Sequence, residues 1–224
     1  MISYDDRRIL FYNLLAESFE GKVTSDVLEK WVFFRDHIKL QHFNQEKSIM
    51  QELDSLEIFM TKNTTELNRD LAQEYGKIFW QFTCNSISFH LNEAGFHLND
   101  LMNEPYLFAL CLKHSSKTGL PEDHIAVQLY MLTDITTKMD RAFKDGEKKH
   151  QEKYFYYFTL FHQHFIHTWI TPFGKCISCK SSLPFYPLLI QVLTELIEKD
   201  KDFIKIMEAQ KPHKKNILSN GTKN

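Results

Sequence analysis

This chain of 224 residues reads as an all-α protein, a helical bundle of about nine to ten helices with no sheet. Three observations carry that expectation. Only seven Gly and six Pro punctuate the whole length, Leu, Glu, Lys and Gln recur at helical spacing, and strictly alternating apolar runs are scarce. With 19 Phe, 9 Tyr and 3 Trp, aromatics reach 14%, which points to thick helix packing or an aromatic-lined groove. The length also suffices to bury a core without disulfides or metal.

The first helix takes Ser3 as its cap, places Asp5 and Asp6 in its first turn, and carries Ile9, Leu10, Leu14, Leu15 and Phe19 at helical intervals. Gly21 breaks it. Thr24 or Ser25 then caps a second helix bearing Val27, Leu28, Trp31, Val32 and Phe34, and a third spans about 46–60. Thr64 and Thr65 start a fourth, in which Leu67, Leu71, Tyr75, Ile78, Phe79 and Phe82 describe one apolar face. Residues 84–105 read as a loop with short helical turns, followed by a helix over about 106–114. Ser115 to Gly119 form the clearest internal break.

Pro121 opens the next helix, which runs to about Phe143, and a charged connector covers 144–153. An aromatic helix comes next over 154–169. An interruption at 171–182 precedes a helix from Pro184 to about Glu198, and Asp200 caps a short last one. The organisation is then an N-terminal helical lobe (1–118), a C-terminal helical lobe (119–210) hinged near Gly119–Pro121, and a disordered basic tail (211–224).

Composition narrows the function classes. A net charge of −2 and a pI near 6.6 give no reason to expect a nucleic-acid surface. No run approaches the ~20 apolar residues needed to cross a bilayer. Asp6-Arg7-Arg8 superficially resembles an export signal, but Glu17 and Glu20 interrupt the apolar stretch after it and no small-residue cleavage site appears, so a cytoplasmic protein is expected. Four cysteines do not make a disulfide scaffold, and Cys84 and Cys111 sit in apolar surroundings; a reducing compartment fits. No nucleophile elbow, phosphate loop or dinucleotide fingerprint occurs, so the chain is not expected to be an enzyme.

The sharpest chemical signal is Pro121-Glu122-Asp123-His124. As a helix start, its proline suits the first helical position and its acids oppose the positive end of the macrodipole. His124 has no such explanation, and it titrates near neutral pH. Pro121-x-Asp123-His124 before an apolar helix resembles the P-x-D-H hinge motif of the TorD/DmsD/NarJ-type molybdoenzyme chaperones. Glu74-Tyr75-Gly76-Lys77-Ile78-Phe79 resembles that family's E-Y-x-x-L-F segment, and Phe161 to Trp169 with Phe173 and Phe185-Tyr186 resembles its late aromatic pattern. Together the three segments span about 71–196. Leu120 stands where many members have Glu, and Gln81 to His90 replace the small-residue and proline-rich stretch usual after the first motif.

The resemblance implies a TorD-like helical bundle that binds the twin-arginine signal peptide of an apo-molybdoenzyme catalytic subunit and assists molybdenum cofactor insertion before export. It implies no intrinsic cofactor, but transient contact with molybdopterin guanine dinucleotide or GTP. Such a receptor needs carboxylates beside an apolar groove, because its ligand offers two guanidinium groups followed by an apolar helix-forming stretch. Tyr75 and Phe79 supply groove wall with Trp80 at its edge, Glu122 and Asp123 supply acceptors beside Pro121, and His124 orients Asp123 or gates by protonation. The flexible hinge leaves a monomer or a domain-exchanged dimer open. Two alternatives remain from the residues alone: a zinc-stabilised helical domain using Cys176 and Cys179, and a general helix-binding adapter. For zinc, His164 and His167 share a helix face whereas His162 points elsewhere.

Overall fold

The computed structural model describes residues 6–21, 23–40, 47–62, 66–80 and 101–210. Within them every regular element is a helix, with no strand. Eight helices succeed one another: α1 (Asp6–Glu20), α2 (Ser25–Leu40), α3 (Lys47–Lys62), α4 (Leu67–Tyr75, extended by a π turn at Gly76–Trp80), α5 (Pro105–Thr118), α6 (Ile125–Lys144), α7 and α8. Helix α7 runs Lys148–Phe161, widens into a π turn at His162–Ile166, and continues as His167–Lys180; α8 is Phe185–Ala209. The expected Ser3 cap, the Thr64–Thr65 start, residues 84–100 of the expected loop, and the tail beyond 210 lie outside the described residues. Among the described residues, no helix is long and apolar enough to cross a membrane.

Among the described residues the count falls below the expected nine to ten because the last two predicted helices are one, and the predicted interruption at 171–182 is helical as far as Lys180. Pro172 lies inside α7 with its ring exposed, so the backbone bond it forfeits is on the solvent side. Trp169, Ile170, Phe173 and Ile177 are buried around it, and their packing carries the helix on to Lys180. Asp200 does not cap a short terminal helix; it is fully buried within α8. Helix α5 also runs further than predicted, to Thr118, ending at Gly119 with φ 71°. Gly119 takes this left-handed conformation without a Cβ clash, and its N–H donates to Ser115 O at 2.8 Å.

Helix α6 is the axis of the bundle: twelve of its 20 residues are buried, from Ile125 to Ala142. It packs most extensively against α1, and also against α5 and the first half of α7. Helix α8 lies against α3 and the second half of α7. There Gly174 permits close approach, since a Cβ on it would stand 2.9 Å from Ile190 Cγ2. Aromatic side chains fill the interior: Phe19, Phe158, Phe161, Phe173, Phe185 and Tyr186 are all fully buried. Burying one such ring is worth roughly 1.5–3 kcal/mol, so the aromatic layer is a substantial share of the favourable side of folding. Trp31 Nε1 donates to Ser18 Oγ at 2.9 Å and ties α2 to α1.

One polar cluster sits inside this apolar bundle. The Asp200 carboxylate meets Arg8 Nε at 2.7 Å and His162 Nε2 at 3.2 Å, and accepts a short hydrogen bond from the Tyr12 hydroxyl. The π turn brings His162 and His167 within 6.2 Å, so the expectation that His162 points away from the other histidines is overturned. A wider turn adds a residue and rotates the next stretch of helix, which a strict 3.6-residue repeat cannot anticipate. His164 is exposed instead. Burial, with His162 and Lys201 adding to it, lowers the His167 pKa below the ordinary histidine value.

Burial alone would raise the Asp200 pKa, but Arg8, His162 and Tyr12 together outweigh it and hold the carboxyl below its ordinary range. A carboxylate with a depressed folded-state pKa contributes stability that is complete above the unfolded value of about 3.9 and disappears as pH falls through the folded value. Asp200→Ala should therefore cost about 3–5 kcal/mol at pH 7, because it leaves Arg8 without its buried counter-charge and His162 and Tyr12 without their acceptor. Urea unfolding of the two proteins between pH 7 and pH 3 should show the difference narrowing only at the acid end.

Candidate functional site

Tyr75 ends the regular part of α4 and Phe79 lies in its π turn, so both project from one side of the helix with ring centroids 4.7 Å apart. Two distant segments meet them. The Phe79 ring lies 5.5 Å from His124 and 5.9 Å from Tyr186, and Tyr75 lies 6.4 Å from Tyr186. Phe19 of α1 closes the cluster, 6.3 Å from Phe79 and 5.8 Å from Tyr186.

Pro121 to His124 form a turn ahead of α6 rather than its first turn, correcting the sequence reading. His124 is the N-cap: its backbone is extended (φ −77°, ψ 136°) and its Nδ1 accepts the Ala126 N–H at 3.2 Å. Capping needs an acceptor lone pair, and an imidazole with unprotonated Nδ1 supplies one as the Asn or Ser oxygen does. The neutral ring then carries its proton on Nε2, which faces the Tyr75 hydroxyl at 3.5 Å; that hydroxyl donates to Glu20 O at 3.1 Å. His124 thus couples the start of α6 to the end of α4. The first turn of α6 holds no acid, so Glu122 and Asp123 do not serve the helix dipole as expected.

The predicted hinge is pinned by hydrogen bonds. Ser115 Oγ donates to Leu120 O at 2.7 Å, and the His124 N–H donates to Pro121 O at 3.0 Å. Glu122 O accepts from Gln128 Nε2 at 2.8 Å and from Cys111 Sγ at 3.4 Å. Burial pushes the Cys111 pKa up to about 12, with Glu122 adding to it, so this thiol stays protonated and can donate.

The structure brings together six of the seven predicted site residues. Tyr75, Phe79, Asp123 and His124 are between 6% and 8% exposed, with Pro121 and Glu122 half-buried beside them. The side chain of Trp80 lies outside the described residues. The apolar residues face one another and the core, and the Asp123 carboxylate is enclosed rather than set on a rim. Two further members of the site belong to the motif segments, although sequence reasoning does not single them out. Glu74 Oε1 accepts the backbone N–H groups of Ser182, in a short bond, and of Leu183 at 3.1 Å, fastening the approach to α8 onto α4. Tyr186 is fully buried, and its pKa is raised chiefly by that burial, then by Tyr75 and Glu74. Their places beside Tyr75 and Phe185 in the sequence are the signal that could have found them.

For the zinc alternative, Cys176 is half-buried, Cys179 is exposed, and His162 commits Nε2 to Asp200. Among the described residues, no three His, Cys, Asp or Glu side chains gather as a metal-binding group. Comparison with protein-family models, with curated proteins and with solved structures gives no match.

The cap makes a measurable claim. His124→Ala should destabilise the protein by about 1 kcal/mol or more, whereas His124→Asn should recover most of that loss because it retains a capping acceptor. Denaturant unfolding of the three proteins at pH 7 measures the order.

Proposed function

We propose that the chain is a cytoplasmic, system-specific chaperone that captures the twin-arginine leader of an apo-molybdoenzyme and holds it until cofactor insertion. It would act by binding, without catalysis. The supporting observation is convergence: the three segments that resemble the chaperone family, far apart in sequence, meet at Tyr75, Phe79, His124 and Tyr186.

In this reading the leader's apolar helix packs on the Tyr75–Phe79 face, and its guanidinium groups take Glu122 and Asp123 as acceptors. Because those residues are nearly enclosed, capture requires the end of α4 to move away from His124. The π turn at Gly76–Trp80 supports this reading, since such turns recur at functional sites.

Titrating the purified chain with a twin-arginine leader peptide by calorimetry tests the proposal. Saturable binding is expected, weakened at least about tenfold by replacing both peptide arginines and again by Asp123→Ala, the loss of one or more charge-assisted hydrogen bonds. Absence of binding, or binding indifferent to both changes, removes it.

A further inference from the structure

One pair of side chains that the sequence singles out is left unused by the aromatic cluster. Cys176 and Cys179 stand three residues apart in the last turn of α7, which ends at Lys180. Both are thiols in the structure, Cys179 exposed and Cys176 half-buried against the core. Cys111, by contrast, is buried, and that burial keeps its thiol protonated. Two thiols alone make a poor metal site, and among the described residues no third ligand gathers with them. A bond between the two sulfurs needs no third group.

Helical geometry decides whether that bond can form. Residues three apart in an α-helix have Cα atoms about 5 Å apart, inside the roughly 4.4–6.8 Å that a disulfide spans. Their Cβ atoms are about 5–6 Å apart, against the roughly 3.5–4.5 Å that it requires, so the turn must tighten by about 1–2 Å. A 3₁₀ turn does this, because side chains at i and i+3 eclipse in it, and such turns are frequent at helix C-termini. Cys179 is the last residue but one of α7. The change is therefore confined to the last few backbone bonds, ending with the Ser181 N–H that donates to Ile177 O at 2.9 Å.

The residues after that turn are bound to α4. The Ser182 and Leu183 N–H groups donate to Glu74 Oε1, the latter at 3.1 Å, and Lys77 Nζ donates to Ser182 Oγ. A 3₁₀ turn rises about 2.0 Å per residue against about 1.5 Å, so tightening three residues carries the end of α7 about 1.5 Å along its axis. A shift of that size exceeds what a hydrogen bond tolerates. We propose that Cys176 and Cys179 form an oxidisable dithiol whose closure to an intrahelical disulfide frees Ser182 and Leu183 from Glu74. The Cys179 thiolate attacks one sulfur of a low-molecular-weight disulfide and displaces the first small thiolate; the Cys176 thiolate then attacks Cys179 Sγ and displaces the second. The two protein thiols lose two electrons and two protons, and the small disulfide takes up both and leaves as two thiols. Nothing in this chemistry depends on leader capture, although the clasp that it opens adjoins Tyr75.

The reduced full chain, equilibrated with oxidised and reduced glutathione at a series of ratios, is followed by alkylation with peptide mass mapping and by hydrogen exchange. A Cys176–Cys179 disulfide is expected, with Cys111 remaining a thiol. Cys176→Ser should instead hold glutathione on Cys179, because the second displacement is lost. In the oxidised chain the Ser182 and Leu183 amides should exchange about tenfold faster or more, and dithiothreitol should restore the slow exchange. The inference fails if no disulfide forms at any ratio, if the cross-link joins Cys84 or a second chain, or if the disulfide forms and both amides exchange as before. Neither readout involves a leader peptide, so a failed leader titration leaves the inference standing.

Discussion

The carboxylate of Asp200 is the constraint around which the bundle is arranged. A charge fully removed from water is tolerated only when partners replace the lost hydration, and three do so from two other places: Arg8 and Tyr12 on α1, and His162 at the π turn of α7. Those bonds fix how α1, α7 and α8 lie relative to one another in a region that ring packing alone would leave free to slide. Arg8 also covers Phe203, with its guanidinium carbon 4.8 Å from the ring centroid, so the cation is shared between the cluster and an aromatic face. Because α1 is the principal neighbour of α6, the position set at Asp200 reaches the axis of the bundle and the His124 cap at its start.

Much of this architecture is legible as apolar periodicity. The stripe of α4 gives the correct face for Leu67, Leu71, Tyr75, Ile78 and Phe79, since all five are buried. What periodicity cannot supply is the opposite side of each contact. A stripe says that a face is covered, not that His124 and Tyr186 cover it from 49 and 111 residues beyond Tyr75. Asp200 escapes a sequence reading for a similar reason. An aspartate in the charged run Glu198–Asp202 reads as a cap, and only the approach of α1 and the π turn makes it an interior anion. Pro172 reads as a break because proline forfeits a helical bond, a rule that weakens where the forfeited bond faces water and the opposite side is firmly packed.

His124 shows how a local rule can hide a different device. Pro121, Glu122 and Asp123 satisfy the composition of a first helical turn, and that fit leaves the histidine as a surplus with a purely functional look. In place, it does the capping itself, and its second ring nitrogen reaches the Tyr75 hydroxyl. Structural duty therefore accounts for part of what makes the residue conspicuous. It also sharpens the functional reading, since any movement of α4 away from the turn disturbs a contact on the same imidazole that starts α6.

The candidate site depends on how α4 is seated along its whole length. Leu67 and Leu71 anchor its beginning in the core, while Tyr75 and Phe79 join the aromatic cluster at its end. Truncating Leu67 or Leu71 would therefore shift the whole helix and disturb the cluster from a distance. A loss of peptide binding in Asp123→Ala without a loss of stability consequently reports on the site itself, whereas one that accompanies a loss of stability reports on the seating of α4.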